Sequence, residues 1–212
     1  MNLLFDLDGT LTDPFLGITR CILYALDRLG RQLPVRDSLR WCIGPPLKDS
    51  FMKLLASDNA ALAEEALALY RERYSSVGLF ENQVYEGIPQ VLDALQQNGH
   101  SLYVATSKPT VFADRIVAHF GLRPYFEQIF GSELNGTRND KTQLISYILE
   151  KESLTASATV MIGDRKHDII GARNNDLQSA GVLWGYGTKE ELASSGAQAC
   201  IAHPFDLILR FC

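Results

Sequence analysis

Leu3–Leu4–Phe5–Asp6–Leu7–Asp8–Gly9–Thr10–Leu11–Thr12–Asp13 is the stretch on which the fold turns. Residues 2–7 are a short, mostly apolar run that Asp8–Gly9–Thr10 interrupts, the pattern of a strand delivering polar side chains at its carboxyl end. Comparable runs recur at 101–105, 128–130, 159–162 and 180–184. Helical patterns lie between them: Ile88, Val91, Leu92 and Leu95 follow the i, i+3, i+4, i+7 rule, and Leu144, Ile145, Ile148 and Leu149 make a second stripe. Strands alternating with helices predict an α/β chain with a doubly wound, mostly parallel, Rossmann-like sheet covered by helices on both faces. Ligands of such sheets bind at the carboxyl ends of the strands.

The alternation stops between Pro14 and Phe80. Ile18, Ile22, Ala25, Leu26 and Leu29 form one apolar stripe, and Leu62, Ala66, Leu69 and Tyr70 another on an Ala/Glu-rich helix. Gly44–Pro45–Pro46 must interrupt the helices, because proline lacks an amide donor and fixes φ. The expected organisation is an α/β core from 1–13 and 81–212, with an all-helical cap inserted at 14–80. Trp41 and Tyr103 read as core aromatics.

Composition excludes several classes of function. Of 212 residues, 46% are hydrophobic and 21% charged, which is ordinary for a globular chain and unlike a disordered or fibrous one. Twenty Lys and Arg against 25 Asp and Glu leave a formal charge of −5, so no broad positive field exists to recruit nucleic acid or acidic lipid. No apolar run approaches the roughly 18 residues that cross a bilayer, and no basic leader precedes Leu3, which predicts a cytoplasmic protein without a membrane or nucleic-acid partner. Cys21, Cys42, Cys200 and Cys212 form no C-x-x-C pair and read as free thiols of a reducing compartment. Asn135–Gly136–Thr137 reads as a turn.

The chemistry is concentrated at strand ends. A turn at Gly9 lets the Asp6 and Asp8 carboxylates converge, and converging carboxylates repel unless a cation or proton separates them. Oxygen-only ligation suits a hard divalent ion such as Mg²⁺; a bare D-x-D read alone is more often a capped turn. Gly163–Asp164–Arg165–Lys166–His167–Asp168 follows another apolar run and adds acids at a second strand end. Thr106, Ser107 and Lys108 end the run at 101–105, and Lys141 opens the helix near 142–149. Hydroxyls, an ammonium and a helix N-terminus are what the equatorial oxygens of a phosphoryl group require. Arg165, Lys166 and His167 read as solvent-facing, and Lys108 is as readily a solvated lysine as a phosphate ligand.

In this order and at these strand ends the motifs resemble those of the haloacid dehalogenase superfamily. Asp6 to Asp13 resembles its first motif, Thr106–Ser107 its second, Lys141 its third, and Gly163–Asp164 with Asp168 its fourth. The helical stretch is similar to the family's first type of cap. Gly163 to Asp176 and Gly185–Tyr186–Gly187 look most like phosphoglycolate phosphatase-like and nucleotidase-like members. The resemblance implies a Mg²⁺-dependent phosphomonoester hydrolase of a small phosphorylated metabolite. In it Asp6 is the nucleophile that forms an aspartyl-phosphate, and Asp8 is the general acid and base. Asp6, the main-chain carbonyl of Asp8 and Asp164 hold the metal. Thr106 and Lys141 bind the phosphoryl group, with Ser107 and Lys108 beside them. Asp168 orients Lys141 or a metal-bound water. Lys48, beside the Gly44–Pro46 break, is the cap residue expected to meet a second anionic group, with Arg20, Arg40 and Trp41 as further candidates. Nucleotidase, sugar-phosphate phosphatase, phosphomutase and a phosphorylatable binding domain remain open as alternatives.

Overall fold

In the computed structural model, which describes all 212 residues, the central strand is β1 (Asn2–Phe5), with Leu3, Leu4 and Phe5 wholly buried. Along the chain β2 (Thr12–Asp13) precedes three helices, α1 (Phe15–Arg28), α2 (Leu47–Leu54) and α3 (Ala60–Tyr74). Then come β3 (Gln83–Val84), α4 (Ile88–Gln97), β4 (Ser101–Pro109), α5 (Thr110–His119), β5 (Gln128–Ser132), α6 (Lys141–Lys151) and β6 (Thr159–Gly163). The chain ends with α7 (Lys166–Asn174), β7 (Gln178–Val182), α8 (Lys189–Ser194), β8 (Ala199–Ile201) and α9 (Asp206–Phe211).

Six strands form one sheet in the order β5-β4-β1-β6-β7-β8, parallel at every pairing and covered by helices on both sides. A sheet buried on both faces needs continuous apolar strands, which is why the runs read from the sequence do not alternate. Leu4 pairs in register with Tyr103 on one side and Met161 on the other. With Leu144, Ile145 and Ile148 of α6 these residues form the core of one face. The topology reverses direction between β1 and β6, so the carboxyl ends of β4, β1 and β6 stand side by side at the switch point.

Three details differ from the sequence reading. β8 lies outside the five apolar runs, because three residues are too short to show a period. β4 continues past Ala105 to Pro109 with a shift in register, and Gly131 of β5 admits it: a Cβ there would stand 2.3 Å from the Lys108 carbonyl oxygen. The third concerns the division of the chain. One unit is Met1–Asp13 with Val84–Cys212, and the other is Pro14–Gln83, three residues longer than the expected 14–80. Glu81 explains the extension, since it accepts the Gly17 amide at 2.9 Å and pairs with Arg20 and Arg73 at 2.7 Å each.

The unit 14–83 packs α1 against α3 around Ile22, Leu26, Phe51, Tyr70 and Tyr74, with the Tyr70 and Tyr74 rings stacked at 5.0 Å. Trp41 departs from its expected place in the core: it is 41% exposed, with the Lys53 ammonium 5.7 Å from its ring. Tyr103 is buried as expected. Cys21 and Cys42 are buried, Cys200 is half-buried and Cys212 exposed, all as free thiols. No helix is long and apolar enough to cross a membrane.

Candidate active site

Asp6 follows β1 directly, its amide donating to the Ile162 carbonyl at 2.9 Å, so the sheet ladder itself aims the residue. Immediately beyond, the Leu7 carbonyl accepts the Leu11 and Thr12 amides at 2.9 and 3.0 Å, and the Gly9 amide donates to Thr12 at 2.8 Å. This tight turn needs the positive φ of Gly9, +85°. Any side chain at Gly9 would also collide with Asp164, whose Oδ2 lies 2.2 Å from the position of a Cβ.

Carboxylates of Asp6, Asp164 and Asp168 bring ligand atoms within 4.8 Å of one another, all buried. Lys141, the first residue of α6 and 4% exposed, sits among them: its ammonium is 2.7 Å from Asp168 Oδ1, 3.0 Å from Asp6 Oδ1 and donates to the Ala105 carbonyl at 2.5 Å. Burial alone would lower the Lys141 pKa, but Asp168 and Asp6 outweigh it and hold the ammonium above its ordinary value. Asp168 is set by the start of α7, where it accepts the Arg165 amide at 3.1 Å; burial, opposed by Lys141, raises its pKa to about 6. Gly163 leaves room for it, since a Cβ there would meet Asp168 Cγ at 2.2 Å. Asp168 therefore touches Lys141 directly. Two residues not singled out in the sequence reading support the site. Gly171 lets α7 approach the Lys141 backbone, and Ser132 donates to the Ser107 carbonyl at 2.9 Å.

Asp164 is fully buried, and burial followed by the charges of Asp168 and Asp6 lifts its pKa well above the carboxylate range. One oxygen accepts the Tyr186 amide at 2.7 Å; the other, Oδ1, is buried and has no hydrogen-bond partner. An orphaned carboxylate oxygen beside two more buried acids is the donor set of a hard divalent cation, and these residues fit one.

Asp8 and Lys108 form a second pair at 2.7 Å, with side chains 14% and 7% exposed. Burial raises the Asp8 pKa, and the charge and hydrogen bond of Lys108 only partly counter it. The ambiguity of Lys108 in the sequence is thereby resolved toward a buried partner of Asp8. Thr106 is 2% exposed, and its hydroxyl accepts the Lys108 amide at 3.3 Å. Ser107 lies next to it on the irregular end of β4. Arg165 departs from its expected solvent-facing place, being held by Glu191 at 2.9 Å. His167 is half-buried rather than exposed, and burial with Arg165 and Lys166 lowers its pKa. In the helical unit, Lys48 is bound to Glu64 at 2.6 Å and Arg40 lies over the Phe15 ring at 5.5 Å.

Buried acids around an ammonium at the switch point of a parallel sheet make a site for a divalent cation and an anionic group. Residues 3–182 match the family described as haloacid dehalogenase-like hydrolase, and the chain belongs to it. It is 51% identical over 191 residues to a 5'-nucleotidase of Pseudomonas aeruginosa, covering 90% of this chain and 86% of that protein. It is 37% identical to the tyrosine-protein kinase PtkA of Mycobacterium tuberculosis over 87% of this chain, which spans only 62% of that relative's length. A solved structure described as a predicted phosphatase from Clostridium acetobutylicum superposes with a TM-score of 0.94 at 42% identity, covering 99% of this chain and 96% of that one. The protein is a hydrolase of phosphoric monoesters.

Proposed function

We propose that the protein is a Mg²⁺-dependent phosphatase of small phosphorylated metabolites, acting through a phosphoryl group carried on Asp6. The observation that carries the reading is the cluster of Asp6, Asp164 and Asp168 around the Lys141 ammonium, with Asp164 Oδ1 left without a partner. Asp6 and Asp164, with the main-chain carbonyl of Asp8, would hold the ion, which supplies charge neutralisation between the carboxylates and the substrate's phosphoryl oxygens. Asp6 attacks phosphorus in line, splitting hydrolysis into formation and breakdown of an acyl phosphate. Asp8 gives a proton to the departing oxygen and later takes one from water, and burial raises its pKa in the direction a proton donor needs. Thr106, Ser107 and Lys141 offer donors to the phosphoryl oxygens, while Asp168 fixes the Lys141 ammonium. Lys108 holds Asp8 in place between proton transfers and lies beside the phosphoryl subsite.

For the leaving group, the 51% identity to a 5'-nucleotidase puts nucleoside 5'-monophosphates first, ahead of 2-phosphoglycolate and sugar phosphates. Lys48 and the Gly44–Pro46 break are the proposed source of discrimination in the cap. The kinase name of a second relative raises transfer to a tyrosine hydroxyl as the competing reaction. A phosphate-release screen over these three ester classes, with Mg²⁺ and with EDTA, tests the reading. Turnover of nucleoside monophosphates that EDTA abolishes and Mg²⁺ restores is expected. Undiminished turnover in EDTA would refute the metal, and phosphorylation of a tyrosine peptide by ATP without ester hydrolysis would replace the phosphatase.

A further inference from the structure

Trp184–Gly185–Tyr186–Gly187 follows β7 and has no part in the reaction as derived above, yet it touches the active-site framework at three separate places. The Trp184 indole N–H donates to the Thr10 carbonyl at 3.0 Å, on the turn that carries Asp8. The Tyr186 amide donates to Asp164 Oδ2 at 2.7 Å. The Tyr186 hydroxyl donates to Asp13 Oδ1, on the strand β2 that ends the same turn. The two glycines make this approach possible. A Cβ on Gly185 would lie 2.3 Å from the Gly9 carbonyl oxygen and 2.4 Å from Asp164 Oδ2, and one on Gly187 would lie 1.9 Å from the Asp164 carbonyl oxygen. Asp164 thus stands in a slot with Gly9 on one side and Gly185 on the other.

We propose that Trp184–Gly187 is a positioning strap: it commits one oxygen of Asp164 to the Tyr186 amide so that the other faces the metal position, and it pins the turn bearing Asp8 at Thr10 and at Asp13, just past its far end. The physical reason lies in the chemistry of a carboxylate, which has two equivalent oxygens and rotates freely unless one is engaged. Asp164 Oδ1, buried and unpartnered, is the oxygen left available. A partner of this kind around a ligating carboxylate is commonly worth 10–100-fold in metal affinity or activity. The internal bonds of the turn converge on the Leu7 carbonyl, so the direction of Asp8 depends on where Thr10 and Asp13 are held, and these are the two residues that Trp184 and the Tyr186 hydroxyl grip. A displacement of the acid by a fraction of an ångström costs rate without costing substrate affinity.

The inference rests on the metal reading of the proposed function, and the experiment separates the two. Mg²⁺ is titrated calorimetrically into metal-free protein, and kcat and KM are measured on the alkyl phosphate the protein hydrolyses fastest, whose leaving oxygen needs the proton of Asp8. Gly185→Ala should weaken Mg²⁺ binding by about 10–100-fold with an unchanged far-ultraviolet circular dichroism spectrum, because the added methyl pushes the strap off Asp164. Tyr186→Phe keeps the amide and loses only the hydroxyl, so its Mg²⁺ affinity should stay within about two-fold while kcat falls about ten-fold at nearly constant KM. If Gly185→Ala does not fold, Trp184→Phe takes its place: it removes, without adding bulk, the indole donor that anchors the strap next to Gly185 and holds Thr10 two residues from the Asp8 carbonyl, a proposed metal ligand, so Mg²⁺ binding should weaken at least about three-fold. Wild-type Mg²⁺ affinity in whichever of these two variants folds would overturn the orienting role, and wild-type kcat in Tyr186→Phe would overturn the role of the hydroxyl. A wild-type chain that binds no Mg²⁺ would overturn the metal reading itself and the orienting role with it.

Discussion

Asp6 and Asp8 are two residues apart, and the structure puts them in different company. Asp6 shares Lys141 with Asp168, whereas Asp8 is closed in with Lys108. Their substitutions should therefore fail differently. Asp6→Asn removes the nucleophile and should lower kcat by about 10³-fold or more on every ester, with the circular dichroism spectrum retained because the site is already crowded with negative charge. Asp8→Asn should cost about 10²–10⁴-fold on alkyl phosphates, whose leaving oxygen needs a proton, and far less on p-nitrophenyl phosphate, whose leaving group does not. Equal losses on the two substrates would remove Asp8 from acid catalysis.

Helices position the site as much as strands do, and α7 does so through a glycine. A Cβ on Gly171 would stand 2.8 Å from Lys141 Cβ and 3.0 Å from its carbonyl carbon. Alanine would add up to about 1 kcal/mol of helix propensity, but overpacking against the backbone of α6 costs about 1–3 kcal/mol, so the clash wins. Gly171→Ala is expected to lower Tm and, by shifting Lys141, to reduce kcat about ten-fold. A raised Tm with unchanged kcat would show that α6 has room to move. In α2 the expectation is the reverse. Lys48 is half-buried and pairs with the exposed Glu64 at the surface, so Lys48→Ala should leave Tm nearly unchanged. If Lys48 meets the leaving group, the variant changes the order of kcat/KM among ester classes and leaves p-nitrophenyl phosphate within a few-fold; an unchanged order removes Lys48 from specificity.

At the scale of the whole molecule, the acids of the site store a pH dependence. Asp168 has its pKa raised to about 6, and Asp164 and Asp8 are raised as well. A raised carboxyl pKa means that the folded chain binds more protons than the unfolded one between the ordinary carboxylate value and the raised one. Metal-free stability must then fall as pH rises through that window. Glu64, Glu81, Glu190 and Glu191 have lowered values and oppose this only below the ordinary glutamate range, and the lowered value of His167 opposes it just below the ordinary imidazole range, one group against three. Thermal melts of metal-free protein are expected to show Tm decreasing from about pH 5 to about pH 6, the part of the window set by Asp168, and Mg²⁺ should raise Tm more at pH 7 than at pH 5 because it stands in for the protons. A flat metal-free profile would contradict the burial of the cluster.

Local sequence determined which residue types the site contains and which sheet displays them. Apolar runs without alternation specify strands buried on both faces, and Asp6, Thr106 and Asp164 stand at or just past the ends of three of those runs, so their place at strand ends was legible from order alone. Lys141 was legible as a helix start. Lys108 was not, because its partner Asp8 is a hundred residues away and only the pairing of β1 with β4 brings them together. Trp184 reads in the sequence as the end of an apolar run and Gly185–Tyr186–Gly187 as part of the family resemblance, but the Thr10, Asp13 and Asp164 atoms they hold come from two other stretches of chain. The glycines at 163, 171 and 185 carry the same lesson: a missing Cβ says nothing in sequence about what occupies the space. Periodicity and turn chemistry act over a few residues and can be read in order, whereas charge pairing and close approach are decided between segments that meet only when the sheet is assembled.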